Sequence, residues 1–234
     1  MTLSTDKAAE LVSTHLGEKD WSCTAFGAGK FSDTFIVEAP DTEQYVLRIA
    51  PPDDVLQLFY EYRMMRQEPS IHKRLLDETN VPVPEITAYD FSRELIDRDY
   101  LIMPKLPGTP LSECSLSRQA MQRVFYEWGY YVGQIHSITD TDNRFGYLGE
   151  HNCMTPCDSW AEAFAVMYRK ELDDIAAAGI YDDKTAEEMM STLNENLSVF
   201  EHCQVSHLLH GDLWVTNVLV TQEGRVTGVI DFDR

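Results

Sequence analysis

The chain is short of positive charge. Its 19 Lys and Arg face 39 Asp and Glu, for a net charge of −20. A protein that grips a nucleic-acid backbone needs a basic footprint to neutralise phosphates, so nucleic acid is excluded as a partner class. A cationic small molecule is permitted, although a solvated acidic surface accounts for most of the charge. No apolar run reaches the roughly 18 residues of a membrane-spanning helix, so no membrane partner is expected. The start, Met1 to Asp6, lacks the basic-then-apolar order of a secretory signal. The five cysteines (Cys23, Cys114, Cys153, Cys157 and Cys203) are odd in number and irregularly spaced, which argues against a disulfide framework. Cys153 and Cys157 have no second pair of ligands at zinc spacing. Free thiols in a reducing cytoplasm are the expectation. A Walker-type phosphate loop is also missing, since no Gly is followed at the right distance by Gly-Lys-Ser or Gly-Lys-Thr.

What is present concentrates near the end. The 234 residues, 44% hydrophobic, fit one large domain or two lobes. The stretch His210-Gly211-Asp212-Leu213-Trp214-Val215-Thr216-Asn217-Val218-Leu219-Val220 leads into a short apolar run. Gln222 to Arg225 is turn chemistry, and Val226 to Ile230 is a second β-branched run before Asp231-Phe232-Asp233. Two such runs split by a Gly-bearing turn make a hairpin. An antiparallel return brings Asn217 and Asp231 to the same end of the ribbon, with Asp212 on the way in. Carboxylate and amide oxygens are hard ligands suited to Mg²⁺, which is held by one or two carboxylates plus substrate phosphates. A further carboxylate five residues before the Asn can accept a proton from an incoming hydroxyl.

The spacing His-x-Asp-x4-Asn, followed by a strand ending in Asp-Phe, resembles the catalytic loop and metal-binding Asp of protein kinases. His-Gly-Asp in place of His-Arg-Asp, and Asp-Phe-Asp in place of Asp-Phe-Gly, resemble instead the aminoglycoside phosphotransferase and choline kinase-like family of small-molecule kinases. The resemblance implies an α+β, protein-kinase-like fold. A five-stranded antiparallel sheet with a helix would form a nucleotide-binding lobe (residues 1–104), and a mainly helical lobe with the catalytic hairpin would follow (residues 105–234). Family members normally continue for several dozen residues, so the chain reads as truncated after the metal motif, with acceptor binding affected.

Earlier segments fit the same pattern. Residues 4–16 form a helix capped by Ser4 or Thr5 and ended by Gly17. Trp21 to Ile49 reads as three strands. Between the first two, Gly27, Gly29 and Ser32 let the backbone approach a phosphate. Arg48 stands where protein kinases carry a strand Lys, and its planar fork grips phosphate or carboxylate bidentately. Residues 53–79 are expected to be helical with an interruption at Pro69. Glu68 is assigned as the partner of Arg48, with Glu61 as its competitor. Two further strands, Ile86 to Asp90 and Tyr100 to Met103, lead into a hinge. There the resemblance places backbone contacts to adenine around Met103, Lys105 and Leu106. Ser117 to Ile138 keeps a 3.6-residue apolar period and reads as the buried central helix of the second lobe. Two more helices follow at about Ser159–Ala178 and Lys184–Cys203, split by Gly179.

The resemblance implies an enzyme that moves the γ-phosphate of ATP, or of GTP, to a hydroxyl of a small molecule, in the cytoplasm that the cysteine usage suggests. Asp212 would be the base, His210 a brace for its loop, and Asn217 and Asp231 the Mg²⁺ ligands. Kinases of choline, a sugar or an amino acid are the nearest alternatives, and a nucleotide-binding protein without turnover is another. A protein kinase is disfavoured by the His-Gly-Asp loop and by the lack of an Ala-Pro-Glu segment. The sequence does not specify the oligomeric state.

Overall fold

The computed structural model describes residues 3–27, 32–41, 43–147 and 153–232. Helix α1 (Thr5–Leu16) starts where Ser4 accepts from the Lys7 N–H, and it buries Ala8, Leu11 and Val12. Gly17, at φ +88°, ends it. Strands β1 (Ser22–Ala25), β2 (Asp33–Glu38), β3 (Gln44–Ile49), β4 (Ala88–Asp90) and β5 (Tyr100–Pro104) form one antiparallel sheet in the order β1-β2-β3-β5-β4. Alternation sends Phe35, Val37, Leu47, Ile49, Tyr100 and Ile102 to the face covered by α1, which gives this lobe its core. The expected five-stranded sheet is therefore present.

Residues 53–63 are not helical, contrary to the sequence expectation. They form turns ending at Arg63, which has φ +58°, and a 3₁₀ helix follows at Met64–Gln67. Helix α2 (Glu68–Glu78) then begins with Pro69 in its first turn, a position that needs no N–H donor. Its buried face, Ile71 and Leu75, does not belong to the sheet's core. With Val81 and Val83 it joins Val124, Ile135, Val218, Val220, Val229 and Phe232 in the core of the second lobe. The helix that carries Glu68 is thus packed on the element that carries Asp231.

The second lobe holds α3 (Arg118–Ile135), α4 (Trp160–Ala177) and α5 (Asp183–Asn196), then a 3₁₀ helix at Leu197–His202. A three-stranded sheet joins β6 (Thr109–Pro110) to the hairpin β7 (Val218–Val220) and β8 (Val226–Val229). Helix α3 is less buried than its period suggests. Only Ala120, Val124 and Ile135 are buried, Phe125 is 57% exposed, and among the described residues nothing lies within 4 Å of a Cβ placed on Gly129 or Gly133. An apolar period shows that a face can be buried, but not that a neighbour covers it.

Candidate active site

The catalytic-loop segment owes its shape to Gly211, at φ +81°, in the left-handed region where a side chain is strained. The turn that follows is closed by Trp214 N–H to the Asp212 carbonyl and by Asn217 N–H to the Trp214 carbonyl. These bonds bring Asn217 back against Asp212. The Asn217 Nδ2 donates to the Asp212 carbonyl at 2.8 Å and lies 3.3 Å from its Oδ2. The Asn217 carbonyl accepts from Ile230 N–H at 3.0 Å, which holds the two hairpin strands together immediately before Asp231. Asp231 itself has φ +74°, a strained setting for a non-glycine residue. Such strain costs on the order of 1–3 kcal/mol and clusters at functional sites.

His210 is buried and braces this loop from below. One nitrogen, Nε2, lies 3.0 Å from the Ile230 carbonyl, which can only accept. The proton therefore sits on Nε2, and Nδ1 accepts from Asp212 N–H at 3.3 Å. Burial lowers the His210 pKa, and this outweighs the hydrogen bond to Ile230 and the nearby Asp231 and Asp212 charges, so the neutral ring is favoured. Its ring lies 4.2 Å, centroid to centroid, from Phe232, whose other neighbour is His72 at 5.7 Å.

From the first lobe, Arg48 reaches into the same place. Its Nη1 donates to both oxygens of Glu68 at 2.8 Å, and its Nη2 donates to Asp231 Oδ1 at 2.7 Å. Glu68 is fully buried, so this pairing is what makes its charge tolerable. The competitor Glu61 instead accepts from Leu58 N–H within its own loop. Asn217 and Asp231 supply an amide and a carboxylate oxygen at neighbouring strand ends, a donor set that fits Mg²⁺ completed by phosphates and water.

The hinge differs in detail from expectation. Lys105 N–H donates to the Gln44 carbonyl at 2.9 Å, so it is engaged in the sheet and does not face the cleft. Antiparallel alternation makes Val46 and Met103 the next hydrogen-bonded pair, which ties the Met103 main chain to β3 as well. The same alternation turns the Pro104 carbonyl, opposite Tyr45, away from β3. Pro104 lies within the stretch from Met103 to Leu106 expected to face adenine, and strand parity picks out its carbonyl there. Leu106 lies over the hairpin: a Cβ added to Gly228 would sit 2.9 Å from Leu106 Cδ1 and from Leu219 Cδ1.

The remaining expected phosphate contacts are only partly placed. Gly27 is in the turn after β1, and Ser32 lines a small cavity with Ala50, Pro51, Asp53 and Arg63. Gly29 lies outside the described residues. Among the described residues no helix is long and apolar enough to cross a membrane.

The fold has well-populated relatives. A thermostable mutant of aminoglycoside phosphotransferase APH(4)-Ia, solved as a ternary complex with AMP-PNP and hygromycin B, aligns with a TM-score of 0.65 at 18% identity. That alignment covers 97% of this chain and 71% of the other. The macrolide 2'-phosphotransferase MphH of Brachybacterium faecium aligns at 0.58 and 22% identity, covering 97% of this chain and 71% of that one. Among curated proteins, Probable acyl-CoA dehydrogenase IBR3 of Arabidopsis thaliana is 24% identical over 220 residues. Those residues are 89% of this chain and 25% of the relative, so the chain spans about a quarter of that protein. The sequence model of the phosphotransferase enzyme family matches residues 22–234, and on that match the chain belongs to the phosphotransferase enzyme family.

Proposed function

We propose that this protein transfers the γ-phosphoryl group of ATP to a hydroxyl of a small molecule. The observation that carries the reading is the meeting of Arg48, Asp231, Asn217 and Asp212, from two lobes, through direct or one-step hydrogen bonds. In this reading Asp212 orients the acceptor hydroxyl and takes its proton. Asn217 and Asp231 would hold Mg²⁺, and Arg48 would neutralise phosphate charge from the opposite lobe. When bound, Mg²⁺ offsets the charge that develops on the phosphate oxygens. Phosphoryl transfer is mainly positioning and charge stabilisation, so these four side chains suffice without a covalent enzyme intermediate. The nucleotide complexes among the structural neighbours, with AMP-PNP, support ATP.

Two observations favour a second reading of the acceptor, a hydroxyl on an acyl compound. One is the match to a protein named as an acyl-CoA dehydrogenase. The other is a mainly apolar groove of about 480 Å³ between α4, α5 and the 3₁₀ helix that follows, lined by Phe164, Tyr168, Met189, Leu193, Val199 and Phe200 with the polar Thr192 and Asn196. Such a lining suits an alkyl or aromatic arm better than a polar polycation.

The test is ADP release from Mg·ATP against a panel of aminoglycosides, choline, sugars, amino acids and hydroxyacyl thioesters, with products checked by mass spectrometry. Phosphorylation of one class establishes the acceptor. Mg·ATP binding without product from any class would make the protein a nucleotide binder, and absence of Mg·ATP binding would remove the reading altogether.

A further inference from the structure

Helix α2 carries Glu68 as its first residue, yet that end has no capping side chain, because Gln67 makes no cap hydrogen bond. The end is held in another way. Arg66, in the 3₁₀ turn just before it, donates Nε to Asp99 Oδ2 at 2.7 Å and Nη2 to Asp99 Oδ1 at 2.9 Å. Asp99 is fully buried and takes a third bond, from Arg93 Nε to Oδ1 at 2.8 Å. Arg93 in turn grips Asp53 with both terminal nitrogens, at 2.7 and 3.1 Å. Arg66, Asp99, Arg93 and Asp53 alternate in charge, and Arg63 adds a further cation 3.5 Å from Asp53. Burial raises the Asp99 pKa, but the bonds from Arg66 and Arg93 outweigh it and leave the carboxyl below its ordinary value.

Where Asp99 is anchored gives this network a consequence for the site. The Asp99 carbonyl accepts from Ala50 N–H at 2.9 Å, at the exit of β3. The residues that follow, Tyr100 and Leu101, lie opposite Ile49 and Arg48 in the β3–β5 ladder. One carboxylate therefore fastens the start of the Glu68 helix to the strand pair that bears Arg48. We infer that Asp99 is a positioning residue for the nucleotide site, fixing the offset between Arg48 and Glu68 through Arg66. It touches neither nucleotide nor acceptor. The inference rests on the nucleotide reading of the site.

A double-mutant cycle on Mg·ATP affinity, measured by titration calorimetry on the full chain, separates positioning from plain stability. Asp99→Asn keeps the size of the side chain and loses the charge and one acceptor. It should weaken Mg·ATP on the order of tenfold, the usual scale for coupled contacts. Arg48→Met should weaken it at least as much, and the double variant should bind no worse than Arg48→Met alone. Additive losses, or unchanged affinity in Asp99→Asn, would overturn the inference. If Asp99→Asn fails to fold, Arg66→Lys, which keeps the charge without the two-point grip, enters the same cycle with the same decision. A wild-type chain that binds no Mg·ATP removes the nucleotide reading and this inference with it. A wild type that binds, with additive variants, removes this inference alone.

Discussion

Arg48 and Asp231 form an ion pair of 2.7 Å between the two lobes, although 183 positions separate them in the chain. The pair occupies the carboxylate that a Mg²⁺ ion would need. On the proposed function, Mg·ATP would exchange this pair for Arg48 on phosphate and Asp231 on the metal. Asp231 is about one-third exposed in this pair, so in the ligand-free protein the contact stabilises by only about 0–1 kcal/mol. Asp231→Asn should leave the ligand-free melting temperature nearly unchanged. It should lower Mg²⁺-dependent turnover by about 10²–10³-fold, because several kcal/mol of charge stabilisation goes with the metal. Melting curves with and without Mg·ATP check this: ligand stabilisation should appear in the wild type and vanish in the variant. Equal stabilisation in both would exclude Asp231 as a metal ligand.

Glu68 presents the opposite balance. It is fully buried, and its carboxylate is met by Arg48 Nη1 on both oxygens. Removing one partner of a buried pair leaves the other charge uncompensated. Glu68→Gln should cost roughly 3 kcal/mol, seen as a fall in melting temperature of roughly 6–12 °C for a chain of this size. A variant as stable as the wild type would mean that Asp231 alone satisfies Arg48.

Asp212 tests the chemistry. Its backbone is held by His210 and Asn217, so substitution of the side chain should not collapse the loop. Asp212→Ala should lower turnover by about 10²–10⁴-fold, the scale of a general base, with Mg·ATP affinity retained. An unchanged rate with intact binding would exclude Asp212 from proton transfer.

Much of this architecture was legible in the sequence, and its failures have physical causes. The hairpin and its polar ends were readable because β-branched runs, a Gly turn and fixed spacing agree. Glu68 rather than Glu61 was the expected partner of Arg48, and Glu68 is the residue that meets it. Residues 53–63 misled because acids and apolar residues there mimic a helical period, whereas the segment is fixed by contacts from elsewhere: Asp174 accepts from Phe59 N–H at 2.6 Å, and Arg93 grips Asp53. Lys105 misled because a hinge motif gives the neighbourhood but not strand parity. The exposed face of α3 was unreadable in principle, since a period records what a face could bury.

Gly224 links the hairpin turn to α3. It has φ +80°, and a Cβ there would overlap the Ala120 carbonyl, its carbon and its Cα. Backbone cannot yield as a flexible side chain can, and the left-handed conformation adds strain. Gly224→Ala should destabilise by roughly 3 kcal/mol in urea unfolding. A cost below about 1 kcal/mol would mean that the turn slides on the helix.

His72 supplies a pH dependence. Its Nδ1 lies 2.7 Å from the Pro84 carbonyl and so carries the proton, while Nε2 is buried with no hydrogen-bond partner among the described residues, 3.8 Å from Glu68 Oε2. Burial, opposed by the Pro84 bond and helped by the Arg48 charge, lowers its pKa from 6.5 to about 4. The folded state therefore binds fewer protons than the unfolded chain between these values, and stability rises with pH across that window. The contribution is fully present above pH 6.5 and is lost as pH falls toward 4. Between pH 7 and pH 5 the linkage amounts to roughly 2 kcal/mol. His72→Gln, which has no titrating ring, should lose that much less stability than the wild type over the same interval, read from urea midpoints at both pH values. Parallel losses in the two proteins would show that His72 is not held neutral in the folded state.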